Sequence, residues 1–215
     1  MNIDPKNIKN LILDFGGVIY QIDHQKQIEA FTALGIKDFG DLYSQAMQSE
    51  LFTGFECGNL APDTLISEIL EILGRDKVNR ERVVEAWNSI LVGYLDDAVN
   101  LLEKLKFRMN LYLLSNTNEI HYELFTDEFR EQRGYDFNSL FVKPYWSFKM
   151  GKRKPDIETY QFVLNDSGLN PDETLFIDDS PQNIRASVLA GLPAYHLSHP
   201  KMLTDLFNND LRLNL

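Results

Sequence analysis

Three runs of apolar residues in this chain stop abruptly at a polar side chain. Leu11-Ile12-Leu13 ends at Asp14, Leu113-Leu114 at Ser115, and Phe176-Ile177 at Asp178. Unbroken apolar runs of that length read as strands buried on both faces, which occur in parallel sheets covered by helices. A polar residue at the carboxyl end of such a strand is delivered into the crevice at the end of the sheet. The pattern after residue 96 agrees. Spacing predicts helices over 98–107, 118–129, 156–166 and 180–190, alternating with strands over 111–114, 140–142, 174–177 and 194–197. Such alternation implies helices on both sheet faces and right-handed crossovers.

The first strand, 11–15, has no crossover helix of its own. In that place stands a block of about seventy residues that reads as three to four helices and no strand. Apolar positions recur there at Leu65, Ile69, Leu70 and Leu73, and at Val83, Val84, Trp87, Ile90 and Leu91; Gly35, Gly54, Gly58, Pro62 and Gly74 punctuate them. The expected fold is α/β: a doubly wound, Rossmann-like parallel-sheet core of residues 1–22 plus 95–215, with an α-helical cap domain, 23–94, inserted after strand one.

Charge narrows the partners. Asp and Glu number 32 against 21 Lys and Arg, a formal charge of -11. A field of that sign disfavours nucleic acid and anionic membrane, so an anionic substrate needs a local counter-charge from lysine or a metal ion. Hydrophobic residues make up 44%, enough for a packed interior. Cys57 is the single cysteine, which excludes an intramolecular disulfide and suits a reducing cytosol. The first residues carry no secretory signal pattern, and no run of 18 apolar residues occurs. The expectation is a cytoplasmic protein, monomer or small homo-oligomer, with no nucleic-acid or membrane partner.

The polar residues at the strand ends make a set suited to phosphoryl transfer. Asp178 and Asp179 are adjacent carboxylates that repel each other in a crevice unless a cation lies between them. Hard oxygen donors without histidine or cysteine nearby favour Mg²⁺ over zinc. Capping of the helix that begins near Pro181 accounts for one of these acids but not both. Asp14 precedes Gly16-Gly17, where aspartate is common as a turn cap. Asp14-Phe15-Gly16 also spells a kinase metal-binding triplet, yet only thirteen residues precede it, too few for the loops a kinase requires upstream. Taken singly, Ser115 and Asn116 read as a helix cap and Lys154 as a solvated lysine.

Together the segments Leu11-Ile-Leu-Asp14-Phe-Gly-Gly-Val18, Leu113-Leu-Ser115-Asn116, Lys152-Arg-Lys154-Pro155-Asp156 and Phe176-Ile-Asp178-Asp179-Ser180 resemble, in order and type, the four motifs of the haloacid dehalogenase-like (HAD) hydrolase superfamily, in its phosphatase branch with a helical cap after strand one. The resemblance implies roles. Asp14 would be the nucleophile that forms an aspartyl-phosphate. Mg²⁺ would be held by Asp14, the Gly16 carbonyl and Asp179, with Asp178 behind them or reaching the ion through water. Ser115 and the Asn116 N–H would bind phosphoryl oxygens, and Lys154 would hold Asp14 and the phosphate together. Lys154 is preferred to Lys152 because it directly precedes Pro155-Asp156.

One position departs from that pattern. Most phosphatases of the superfamily carry a second aspartate two residues after the nucleophile, as acid and base for the leaving group. Here it is Gly16, and losing such a group typically lowers rates by roughly 10²–10⁴-fold. Asp23, His24 and His121 are candidate stand-ins. The expected activity is thus a weak or specialised Mg²⁺-dependent phosphatase acting on a small phosphorylated metabolite such as a sugar phosphate. A catalytically impaired phosphate-binding or regulatory protein is the alternative, and a 2-haloacid dehalogenase a further one. The dehalogenase is disfavoured by the intact acidic pair and by the absence of arginine between Gly16 and Gln27. A receiver domain, which uses the same parts, is disfavoured by their order along the chain. Phe52, Phe55, Glu56 and Asn59 are the candidates for choosing the leaving group.

Overall fold

The computed structural model describes residues 4–36, 50–73 and 78–215, without the side chains of 50–52. Among the described residues, five strands form one parallel sheet: β1 (Asn10–Leu13), β4 (Asn110–Ser115), β5 (Lys143–Trp146), β6 (Thr174–Asp178) and β7 (Ala194–His196), in the order β5-β4-β1-β6-β7. β1 lies at the centre and all four of its residues are buried, as its unbroken apolar run requires. Successive side chains alternate between faces. Leu11 and Leu13 join one apolar cluster with Leu113, Ile177, Val99, Leu102 and Phe129. Ile12 joins the opposite one with Leu114, Phe176, Tyr160 and Val163. The flanking helices are α5 (Asp96–Leu105), α6 (Glu119–Arg133), α8 (Ile157–Asp166) and α9 (Pro181–Leu189).

Two expectations about strands are corrected. Residues 140–142 are not a strand: a 3₁₀ turn, Phe137–Leu140, precedes β5. β5 lies at the sheet edge, where Lys143 and Pro144 are tolerated because one side of the strand needs no ladder partner; its apolar signal is correspondingly weak. The second correction concerns 91–94. The helical periodicity of Val83, Val84 and Trp87 stops at Asn88, and Leu91–Tyr94 is a strand, β3, paired antiparallel with β2 (Tyr20–Ile22). Ile90 is buried beyond the helix end and its carbonyl accepts the Asp23 N–H at 2.8 Å. The apolar period thus continues through a change of backbone conformation.

Between β2 and β3 run α1 (His24–Leu34), α2 (Glu50–Glu56), α3 (Pro62–Leu73) and α4 (Arg80–Asn88). The Asp23 carboxylate caps α1 by accepting from the Gln25 and Lys26 N–H groups, and Gly35, at φ 111°, ends it in the left-handed region that glycine adopts without penalty. These helices bury a cluster of their own, including Phe31, Phe55, Ile66, Val83 and Trp87. Phe31 and Phe55 approach Trp87 edge-on, with ring centres at 6.4 and 5.8 Å. Ile120 of α6 completes the cluster. None of the helices among the described residues is long and apolar enough to cross a membrane.

Beneath the carboxyl end of β1 lies an aromatic cluster. Phe15 packs on Tyr20, Phe125, Phe137 and Trp146, with ring centres at 4.5–5.6 Å. Phe137 is completely buried and also meets Tyr94 and Phe129. Phe137→Ala is expected to lower unfolding free energy by about 3–5 kcal/mol in denaturant titration. A loss under about 1 kcal/mol would show that this ring is dispensable to the core.

Candidate active site

The sheet register brings two carboxylates side by side. Leu13 lies opposite Ile177 and the Asp14 N–H donates to the Ile177 carbonyl at 2.9 Å. The next residues, Asp14 and Asp178, therefore leave neighbouring strand ends at the same level and project to the same face. Lys154 reaches them from the loop between α7 (Ser147–Met150) and α8. Its ammonium donates to Asp14 Oδ1 at 2.7 Å and to Asp178 Oδ2 at 2.6 Å, with the lysine side chain only 1% exposed. Burial works against the lysine's charge, but the two carboxylates outweigh it and raise its pKa. Lys152, by contrast, lies 3.9 Å from Glu158 near the surface.

The loop that carries Lys154 is clamped. Asn116 Oδ1 accepts the Lys154 N–H at 2.9 Å and its Nδ2 donates to the Lys154 carbonyl at 2.8 Å. Ser147 Oγ accepts the Thr117 N–H and donates to the Thr117 carbonyl, both at 2.9 Å. Asp178 is saturated as well. It accepts the Ser180 N–H at 2.8 Å and Asn183 Nδ2 at 3.1 and 3.0 Å, besides the lysine. It is completely buried, and each of its oxygens has hydrogen-bond donors, as a buried polar group requires.

After Asp14 the chain makes a tight turn. The Phe15 N–H donates to Asp14 Oδ1 at 2.7 Å, the Tyr20 N–H to the Phe15 carbonyl, and the Gly17 N–H to the Tyr20 carbonyl, both at 2.9 Å. Gly17 has φ 74°, and a Cβ there would overlap the Asp179 carboxylate. Glycine is required on both counts. Gly16 is less confined: a Cβ would meet the Ile22 side chain at 3.3 Å, a contact that a small rotation relieves.

One carboxylate oxygen from each of Asp14, Asp178 and Asp179 lies within 4.8 Å of the other two, the first two residues buried and Asp179 exposed. Burial, with the Asp178 charge next, pushes Asp14 up to about 8 although Lys154 pulls the other way. Three carboxylates share one ammonium, so the cluster holds more negative charge than the protein compensates. That excess, on hard oxygen donors, fits a divalent cation.

The other sequence candidates fall as follows. Ser115, at the end of β4, is buried, and its hydroxyl donates a long 3.4 Å bond to the Asn116 carbonyl. Gly16 lies in the turn after Asp14. His121 does not serve as a free acid or base. Its Nδ1 accepts from Asn118 Nδ2 at 3.0 Å, its Nε2 donates to the Trp87 carbonyl at 3.1 Å, and the ring stacks on Trp87. The Asp23 carboxylate caps α1, and His24 is exposed. Phe55 belongs to the inserted cluster, Glu56 pairs with Arg153 at 3.0 Å, Asn59 is exposed, and the Phe52 side chain lies outside the described residues. Sequence reasoning passed over Ser147, Arg153 and Asn183. Asn183, five residues after Asp178 in the first turn of α9, offered a signal, whereas a lone serine such as Ser147 offers none.

A family model for haloacid dehalogenase-like hydrolases matches residues 8–191. The chain belongs to that family. A D-ribitol-5-phosphate phosphatase of Bacteroides thetaiotaomicron is 31% identical to this hydrolase over 192 residues, 87% of this chain and 91% of that protein. A sesquiterpene phosphatase of Aspergillus oryzae is 26% identical over 202 residues, covering 88% and 90%. Among solved structures, a HAD-family enzyme of Bacteroides thetaiotaomicron, an aspartate-to-alanine mutant in complex with magnesium and inorganic phosphate, superposes with a TM-score of 0.87 at 32% identity over 94% of this chain and 100% of that one.

His121 gives this hydrolase a measurable pH signature. Burial lowers its pKa from 6.5 to about 4, so the folded ring stays neutral while the unfolded one protonates first. Stability attached to it is complete above about pH 6.5 and falls as the pH drops toward 4, where the folded ring also protonates. His121→Gln is expected to reduce the slope of unfolding free energy against pH in that window, by on the order of 1–3 kcal/mol across it. Parallel wild-type and variant curves would contradict the assignment.

Proposed function

We propose that this hydrolase is a Mg²⁺-dependent phosphatase acting on a small phosphorylated metabolite such as a sugar phosphate, and that 23–94 acts as a cap domain over a core of 1–22 plus 95–215. The observation that carries the reading is Lys154 buried between Asp14 and Asp178, with Asp179 beside them. The relative named for D-ribitol 5-phosphate and the magnesium–phosphate complex of the similar fold support it.

In this reading Asp14 Oδ attacks phosphorus, the P–O bond to the alcohol breaks, and an aspartyl-phosphate forms that water then hydrolyses. Lys154 holds the attacking carboxylate in place and balances the phosphoryl charge as a point cation. The Ser115 hydroxyl and the Asn116 N–H donate to non-bridging oxygens. Asp14, Asp179 and the Gly16 carbonyl would hold the cation, while Asp178 is turned toward Lys154. When bound, Mg²⁺ neutralises repulsion between an anionic nucleophile and an anionic phosphoryl group. Asp178 keeps Lys154 aligned, and Asn116 fixes the depth to which that lysine reaches.

Position 16 sets the rate in this scheme. With no carboxyl to protonate the leaving oxygen, the departing alkoxide takes its proton from water, a slower route. Phosphate release from a panel of metabolite monoesters, with Mg²⁺ and with EDTA, tests the reading. Mg²⁺-dependent release that Asp14→Asn lowers by at least about 10³-fold is the expected result. No hydrolysis across the panel, with no gain from Gly16→Asp, would favour a phosphate-binding regulatory protein instead. Gly16→Asp itself is expected to raise kcat by about 10-fold or more, since a Cβ at that position meets only the Ile22 side chain. An unchanged kcat would mean that proton transfer does not limit turnover.

A further inference from the structure

A cavity opens at the amino end of the sheet, the end opposite Asp14. It is lined by Ile8, which leads into β1, by Met109, which leads into β4, and by the C-terminal turn that carries Leu211 and Leu213. Its volume is about 570 Å³, within the range of small-molecule sites. The steps along the chain from Ile8 to Asp14, at about 3.3 Å each, put the two residues about 20 Å apart. An occupant of this cavity does not touch the reacting carboxylates.

The C-terminal wall is already ordered. Asn208 Oδ1 accepts the Asp210 and Arg212 N–H groups, both at 3.0 Å, and the Asn208 N–H donates to the Arg212 carbonyl at 3.0 Å. Phe207 and Leu213 pair across the turn as an antiparallel bridge. Leu211 lies at φ 60°, a left-handed conformation uncommon for a bulky residue, and its N–H donates to the Asn208 carbonyl at 2.9 Å. Leu211, Leu213 and Met109 pack on the main core cluster. A wall fixed in this way loses little freedom when a ligand binds.

The polar part of the lining is mainly cationic. Lys6, Arg108 and Arg212 stand against one acid, Asp210. None of the three cations forms an ion pair among the described residues. Three positive charges less one negative leave an excess of two, in a chain whose formal charge is -11. Guanidinium forks match the oxygens of a phosphate or a carboxylate, and an excess of two charges suits a dianionic phosphoryl group better than a single carboxylate. A bare inorganic ion would leave the apolar lining uncovered, and a neutral hydrocarbon would leave the cations without a counter-charge.

We infer that this cavity is a second ligand site, separate from the catalytic end, and that it takes a small amphiphilic phosphate. Lys6, Arg108 and Arg212 hold the phosphoryl group, and the apolar body lies against Met109, Leu211 and Leu213.

The test titrates the isotope-labelled full chain, in EDTA, with phenylphosphonate, whose C–P bond is not an ester and survives a phosphatase. Backbone amide NMR signals then locate the binding. Saturable shifts at Arg108, Met109 and the residues from Asn208 to Leu213 are expected, with inorganic phosphate binding there about 10-fold more weakly because it buries no apolar surface. Arg108→Met and Arg212→Met, both at exposed positions, are each expected to weaken phenylphosphonate at this cavity by about 10-fold. Shifts confined to the catalytic end, or an affinity that neither variant changes, would overturn the assignment. So would equal affinity for phenylphosphonate and inorganic phosphate, which would reduce the cavity to a patch that attracts counter-ions. Vesicles of anionic phospholipid that bind the chain through Arg108 and Arg212, with no shifts from phenylphosphonate, would make this face a membrane contact and defeat the small-molecule site.

Discussion

A single ammonium group organises the carboxyl end of the sheet. Lys154 Nζ lies between Asp14 and Asp178 at 2.7 and 2.6 Å, nearly sealed from water. A lysine buried without partners would lose its proton, and paired carboxylates buried without a cation would take one up. Lys154 keeps its charge through the two carboxylates, while for Asp14 burial and the Asp178 charge outweigh the lysine. Removing the lysine would leave adjacent acids at neighbouring strand ends with nothing to hold them apart. The arrangement also explains why so much nearby structure is spent on one loop: Asn116 grips both main-chain polar groups of Lys154, and Ser147 ties Thr117 beside it.

The charge count remains unbalanced, and that imbalance gives the site its chemical direction. Asp14 and Asp179 face the crevice with one buried lysine between three acids, and burial pushes Asp14 up to about 8. In a chain with a formal charge of -11, this cluster would repel an anionic ester unless a cation were bound among the carboxylates. Asp178 is committed to Lys154, Asn183 and the Ser180 N–H, which leaves Asp14 and Asp179 as the carboxylates with oxygens to offer a cation.

Rigidity below and variation above divide the work. Phe15 follows Asp14 directly and is locked among Tyr20, Phe125, Phe137 and Trp146, so the residue beside Asp14 is anchored by aromatic packing. The helices between β2 and β3 bury a separate cluster and meet the core through Ile120 and through Gly58 against Phe148.

What the sequence by itself determined is the repeating local grammar: central strands that are apolar throughout, the polar residue at the end of each, and the spacing of the acid, hydroxyl, lysine and acid-pair motifs. Those features depend on backbone periodicity and on burial of β1, β4 and β6 on both faces, which leave a mark at every residue. The edge strand β5 and the pair β2–β3 left little mark, because Pro144 sits where one ladder side is open and Leu91 continues a helical apolar period. The tertiary structure alone decided which residues meet: Asn116 with the Lys154 main chain, Asn183 with Asp178, and Arg153 with Thr53 a hundred positions away. It also decided that His121, eligible by residue type as an acid or base, is spent on Asn118 and Trp87. A side chain's hydrogen-bond partners are set by how distant helices and strands pack, and a linear pattern carries no term for that distance.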